Sequence, residues 1–459
     1  DQIETDRQTD RPRATKVFNC DLRFYYRIAG GVLRFVPVMV SSSSFSLSRA
    51  VLGGLTSPKT PLTNSLSLCR RGIAGKVLRD RSEPKPAPWD YNKKSFNLLH
   101  GLYDKTTLRL DENSKMIMVD GAHAVGKTQF AQDLAEELEM LYMPKITMDD
   151  FYINKYGEDA RKLDEYLTDR NKSYDEKDFF RNPVALPGCY DRMHNSLFKL
   201  MVHQHLLALR HILNTGQGVV MERGPFSDLI YAQAAVNAGW MSQSSVKFMR
   251  TSREMCMGHL FRPNLIIWLD APISEVQKKI CSRGNEWDKD SPVWKNSQYL
   301  HDIYEGMKNN YLQKARNHSQ VLVYDWTVPG DIEVVVEDIE DLNFDYYGLH
   351  DEQQKDWRWF NEAEATSLRI HYSNPERFRR IMAQMEAFEC FEAEHLYKTR
   401  EEDDNMAFAL LMLKGNGYAT GYNEVCGDNV LFKSSKIESM FSWQQLWSIK
   451  KSDNDKRYV

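Results

Sequence analysis

The sequence is short of the features that mark disulfide-stapled, cluster-binding and membrane-spanning chains. Its seven cysteines, Cys20, Cys69, Cys189, Cys256, Cys281, Cys390 and Cys426, are scattered over 459 residues with no C-x-x-C pair. That spacing excludes a disulfide framework and the common iron–sulfur ligand runs, and it fits a reducing compartment. No apolar run is long enough to cross a bilayer, and "GGVLRFVPVMV" at 30–40 is short and broken by Arg34. His203, His205 and His211 fall in one predicted helix without cysteine or carboxylate partners at ligand spacing, a pattern that reads as a polar face rather than a metal site.

Acid is missing from one long stretch. Residues 39–79 are rich in serine and leucine, carry Arg49, Lys59, Arg70, Arg71, Lys76 and Arg79, and contain no Asp or Glu. That composition predicts an organelle transit peptide over 39–79, and residues 1–38, which contain no methionine, read as a translated leader. The first 79 residues hold 13 of the 60 Lys and Arg and 5 of the 64 Asp and Glu, which leaves 47 basic against 59 acidic residues beyond them. A surface twelve charges negative repels phosphate backbones, so no nucleic-acid partner is expected.

What is present is enough apolar material for a large core, 42% of residues, and a length that exceeds one core. A main domain over 80–345 with an appended segment over 346–459 is expected. Within the main domain, "VDGAHAVGKTQF" at 119–130 contains the spacing G-x-x-x-x-G-K-[ST]. Gly121 and Gly126 permit a backbone path whose N–H groups point at phosphate oxygens. Lys127 is placed for the terminal phosphates and Thr128 for Mg²⁺. The flanks fit, since "KMIMVD" at 115–120 reads as a strand and "TQFAQDLAEELEML" at 128–141 as a helix, with Ala131, Leu134, Leu138 and Leu141 at helical spacing.

Further strand-like runs follow at 216–222, 263–272 and 320–326, with helical stretches at 193–213 and 332–344. Alternation of this kind predicts an α/β fold, a doubly wound parallel sheet of the P-loop NTPase type, with ligands at the carboxyl ends of the strands. Asp120, Glu222, Asp270 and Asp325 stand at or near those ends. In "GQGVVMERGPFSD" the pair Glu222-Arg223 puts a carboxylate near the Mg²⁺ position and a guanidinium within reach of phosphate; by itself it is as compatible with a structural salt bridge.

The order of phosphate loop, "TGQGVVMERGPFSD" and "LIIWLDAP" resembles the deoxyribonucleoside kinase fold. More narrowly, "HILNTGQGVVMERGPFSD" and "GYNEVCGDNVLFK" at 421–433 resemble the kinase-like accessory subunits of mitochondrial respiratory complex I, NADH:ubiquinone oxidoreductase. The resemblance implies a matrix-side protein, peripheral to the inner membrane with no transmembrane helix, whose partners are other complex I subunits. It also implies a bound purine nucleotide, ATP, ADP or a deoxynucleotide, with Mg²⁺. Gly121, Gly126, Lys127 and Thr128 would bind the phosphates and Mg²⁺, Glu222 and Arg223 would complete the nucleotide site with Arg283 in the remnant lid, and the metal would be held by Thr128 and Glu222.

Departures from the kinase pattern point away from turnover. An active member carries a glutamate in a Pro-Glu-Pro-like stretch that takes the proton from the sugar hydroxyl; here "YMPKITMDDFYI" at 142–153 has none, leaving Asp149 or Asp150 as substitutes. The R-x-R-x-x-E lid maps onto "CSRGNE" at 281–286, where Arg283 and Glu286 match but Cys281 replaces the first arginine. Gly224 stands where a serine is usual, and His194 or Asn195 is the candidate for reading a base. The nucleotide is therefore expected to serve assembly or stability, with an active mitochondrial deoxynucleoside kinase as the alternative. The appended segment, with "QQKDWRWFNEAEA" at 353–365, "REEDDN" at 400–405, Trp443 and Trp447, is expected to be an irregular extension for partner contacts.

Overall fold

The computed structural model describes residues 72–79, 85–92, 94–154, 157–344, 351–385, 391–397 and 399–413. The leader, most of the transit-like stretch, the 421–433 motif, Trp443 and Trp447 lie outside the described residues. Residues 57–406 form one unit; the other combines 1–56 with 407–459, of which 407–413 are described, as the end of a helix.

Five parallel strands make the sheet of the larger unit: β1 (Met116–Gly121), β2 (Leu141–Met143), β3 (Val219–Glu222), β4 (Leu265–Asp270) and β5 (Gln320–Asp325), in the order β2-β3-β1-β4-β5. Every residue of β1 and β3 is buried, as the near-continuous apolar runs require when helices cover both faces, whereas the edge strand β5 is partly open. The register sets Val119 opposite Glu222 and Asp120 opposite Trp268, which brings the carboxyl ends of β1 and β3 level.

The same unit holds α1 (Lys127–Glu137), α2 (Cys189–Thr215), α3 (Asp228–Asn237), α4 (Gln243–Met257), α5 (Ile273–Ser282), α6 (Ser297–Glu305), α7 (Ile332–Glu340), α8 (Glu362–Ser373) and α9 (Pro375–Gln384), and α10 (Arg400–Met412) follows in the chain. Among the described residues no helix is long and apolar enough to cross a membrane.

The helix expected to run to residue 141 stops at Glu137. Glu139 turns into the left-handed region at φ 53°, Met140 N–H bonds back to the Ala135 carbonyl at 2.8 Å, and Leu141 N–H joins the Gly218 carbonyl at 2.9 Å. Leu141 thus begins β2; its spacing from Leu138 mimics a helix because the reversal keeps both side chains facing inward. The three-histidine helix also differs from expectation. α2 is buried nearly all round, so His205 and His211 are interior residues and only His203 is exposed.

The appended segment, expected to be irregular, is helical over α8, α9 and α10 within its described part. Up to residue 406 it belongs to the same unit as the sheet. Buried Arg369 of α8 reaches Asp104 at 3.0 Å and Asn214 at 3.0 Å, and Tyr372 donates to the His259 carbonyl at 2.7 Å. Arg262 and Asp356 form a two-pronged ion pair at 2.7 Å. These contacts fasten the segment to its own domain.

Candidate nucleotide site

β1 ends in the turn that the two glycines permit. Gly126, at φ 94°, opens α1, and no heavy atom lies within 4 Å of where its Cβ would be, so conformation rather than crowding demands glycine there. Ala122 N–H is tied to the Leu269 carbonyl at 2.8 Å and His123 N–H to the Tyr304 hydroxyl at 3.2 Å, which fixes the loop between β4 and α6. Lys127 Nζ turns back onto the loop, donating to the Gly121 carbonyl at 3.1 Å and the Ala122 carbonyl at 2.6 Å. Desolvation lowers its pKa to about 8, with Asp120 pulling the other way.

The structure brings Thr128 and Glu222 together. Thr128 Oγ1 donates to Glu222 Oε2 at 3.0 Å, and the Tyr142 hydroxyl donates to the other oxygen of the same carboxylate. A hydroxyl and a carboxylate at the mouth of a phosphate loop are hard oxygen donors, and they fit the few protein ligands that Mg²⁺ takes beside phosphate oxygens and water. Asp120 is turned elsewhere, accepting from Gly121 N–H at 2.9 Å and Ser227 Oγ at 3.0 Å.

Arg223 is in a left-handed conformation at φ 53°, with its guanidinium 3.1 Å from buried Asp228 and 3.6 Å from the centre of the Tyr231 ring. Desolvation opposes its charge, but Tyr231, Asp228 and Asp120 hold its pKa above the ordinary arginine value. Its Nε is buried without a partner, as is His123 Nδ1. His123 is kept neutral by desolvation and by four cations, Lys127, Lys145, Arg223 and Arg283. The positive field at this loop residue and its unmatched ring nitrogen suit an anion. Arg283 itself is exposed at the end of α5, beside exposed Cys281.

The substitutes for the missing base are engaged. Asp149 pairs with Arg161 at 2.7 Å, and Asp150 accepts from Thr147 N–H at 2.9 Å. Lys145 follows just after β2. Desolvation in the cleft lowers its pKa, and Arg223 adds like-charge repulsion. Lys145 lines a cavity of about 90 Å³ together with Glu176, His194, Arg223 and Trp294. Stacked rings crowd it, Phe179 on Tyr190 at 4.3 Å and Phe180 on Trp294 at 4.7 Å. Small-molecule pockets run from about 300 Å³ upward, so this space is too small for a nucleoside without rearrangement.

His194 is buried and stands 3.2 Å from Asp228, while Asn195 Oδ1 is buried without a partner. A Cβ at Gly224 would lie 2.2 Å from the Met118 methyl, the flexible end of a side chain that must shift to admit it. Asp270 and Asp325 do not join the site: the first pairs with Lys308 at 2.7 Å and the second accepts from Thr327 Oγ1 at 2.7 Å. Sequence reasoning did not single out His123, Tyr142, Lys145 or Glu176.

A phosphate loop on β1, a carboxylate at the end of β3 and the sheet order define a P-loop kinase fold. The family model described as "Deoxynucleoside kinase" matches residues 117–356, and the chain belongs to that family. Among curated proteins, the rat "NADH dehydrogenase [ubiquinone] 1 alpha subcomplex subunit 10, mitochondrial" is 34% identical over 243 residues, 53% of this chain and 66% of the relative. The bovine protein of the same name is 28% identical over 338 residues, 72% of this chain and 92% of the relative. "Deoxyguanosine kinase" of Dictyostelium discoideum is 22% identical over 253 residues, 55% of this chain and 78% of the relative. The alignment thus spans just under two thirds of the rat and mouse relatives' length.

Proposed function

We propose that the protein is a non-redox accessory subunit of mitochondrial NADH:ubiquinone oxidoreductase, on the matrix side of the inner membrane, that binds a purine nucleotide with Mg²⁺ for assembly or stability. The observation that carries this reading is a complete phosphate loop followed by a stretch, 142–153, that holds no glutamate. Asp149 is held by Arg161 at 2.7 Å and Asp150 by Thr147 N–H at 2.9 Å, so neither carboxylate of that stretch is free to take a proton from a sugar hydroxyl. The mammalian relatives named as complex I subunits support the assembly part of the reading.

In this reading the loop N–H groups and Lys127 cradle the phosphates, and Thr128 and Glu222 hold the metal. Arg223 and Arg283 supply field around them. Mg²⁺ when bound neutralises phosphate charge. Glu222 is oriented by the Tyr142 and Thr128 hydroxyls.

The similarity to a deoxyguanosine kinase keeps an active kinase as the second reading. One experiment separates the two: protein purified without added nucleotide is extracted for bound nucleotide, then assayed with ATP and each of the four deoxynucleosides. A co-purifying purine nucleotide with no phosphate transfer supports the accessory role. Turnover on any deoxynucleoside establishes the kinase instead.

A further inference from the structure

Residues 94–110 invert the usual distribution of polarity. Asp104, Thr106 and Arg109 are buried, whereas Leu98, Leu99, Leu102, Tyr103 and Leu108 are 56% to 77% exposed. The underside is fixed by charge: Arg109 grips the Asp104 carboxylate with three hydrogen bonds of 2.7 to 2.9 Å, and Arg369 reaches the same carboxylate while lying 3.7 Å from the Phe96 ring centre. The Glu362 carboxylate accepts from the Thr106 and Thr107 N–H groups at 2.6 and 3.0 Å.

The outer side is a face rather than a scatter. The chain is helical over Leu98–Gly101 and keeps an i to i+4 bond from Asp104 N–H to the His100 carbonyl, so Leu98 and Leu102 neighbour each other, as do Leu99 and Tyr103. Soluble monomers rarely hold a contiguous set of large apolar side chains in water, and a rigid polar base beneath such a set is the reverse of what folding alone selects.

We propose that this face docks a neighbouring protein whose surface is apolar and edged with acid, an inference that rests on the accessory-subunit reading. Charge at the margin identifies the partner. Lys94 and Lys105 are exposed on this segment, and its single acid, Asp104, is buried on two arginines. An anionic lipid surface also matches lysines, but this segment exposes only Lys94 and Lys105, fewer than the roughly four to eight clustered basic residues by which anionic lipid is recognised. A shape held by two buried arginines also suits a complementary protein surface better than fluid lipid.

The test uses full-length protein in mitochondria lacking the endogenous copy. Leu102→Asp is expected to fold as the wild type does, with the same thermal midpoint and the same response to nucleotide, because the residue is 77% exposed. Its amount in the native complex I band is expected to fall at least tenfold. In parallel, Leu99→p-benzoylphenylalanine is photo-crosslinked in intact mitochondria, and the crosslink is expected on a peptide combining apolar and acidic residues of a neighbouring subunit. Full incorporation of Leu102→Asp beside a wild type that comigrates overturns the docking face but not the subunit reading. Cosedimentation of wild type, but not Leu102→Asp, with cardiolipin-containing vesicles assigns the face to lipid and overturns the proposal. A wild-type dimer by light scattering that Leu102→Asp dissociates does the same in favour of a second copy. A wild type that does not comigrate sinks the subunit reading, and the crosslink then decides the face by itself.

Discussion

Lys127→Met separates a nucleotide-holding lysine from a structural one. Without ligand the wild-type ammonium is desolvated, and a pKa of about 8 instead of 10.5 means that keeping it charged at pH 7 costs about 3 kcal/mol. Against that stand two hydrogen bonds to the Gly121 and Ala122 carbonyls, together about 2–3 kcal/mol at typical strengths for charged donors. The two nearly cancel, so the unliganded variant is expected to unfold within about 1 kcal/mol of wild type. The difference emerges with ligand. A nucleotide at a hundred times its Kd stabilises the native state by about 2.7 kcal/mol, a rise of roughly 5 °C for a domain of this size. Thermal unfolding with and without ATP and Mg²⁺ reads both numbers, and the variant is expected to lose the rise. The pH dependence has a defined sign. Because the folded pKa is depressed, the unfolded chain binds the extra proton between about pH 8 and 10.5, so unliganded stability rises with pH across that window and Lys127→Met flattens the rise. An unchanged nucleotide response in Lys127→Met, or a loss of several kcal/mol without ligand, refutes the reasoning.

Three further outcomes follow from the same contacts. Glu222→Gln keeps the shape but removes the charge that accepts from Thr128 and Tyr142, so the Mg²⁺-dependent part of the nucleotide response is expected to disappear in a titration of the metal. Arg369→Met leaves Arg109 with Asp104 but strips a fully buried guanidinium from that carboxylate and from Asn214; a loss of about 3–5 kcal/mol is expected in urea unfolding. His205 is fully buried and hydrogen-bonded to the Phe261 carbonyl at 2.7 Å, with desolvation lowering its pKa to about 4. The unfolded chain therefore takes up a proton first as pH falls below 6.5, and about 3 kcal/mol is lost by pH 4, a slope that His205→Gln is expected to reduce in thermal scans.

How much of this was legible in the sequence depends on how local each feature is. The phosphate loop could be read because its chemistry requires glycine, lysine and threonine at set positions within eight residues. Glu222 could be read because a strand end is a local event, although its pairing with Thr128 joins residues 94 apart in sequence. The three-residue strand β2 was hidden, since a left-handed Glu139 leaves no mark that spacing alone can detect. The interior histidines of α2 were misread because a central helix buries its polar positions against loops, as His205 does against Phe261. Residues 98–108 drew no reading from the sequence, because only the distant Arg369 and Glu362 reveal that the polar side of this segment faces inward.

Native electrophoresis of gently solubilised mitochondria, with peptides of this protein followed by mass spectrometry, tests the central claim most directly. The account predicts comigration with the intact complex I band. Migration as a free monomer or small oligomer while complex I runs intact would contradict it.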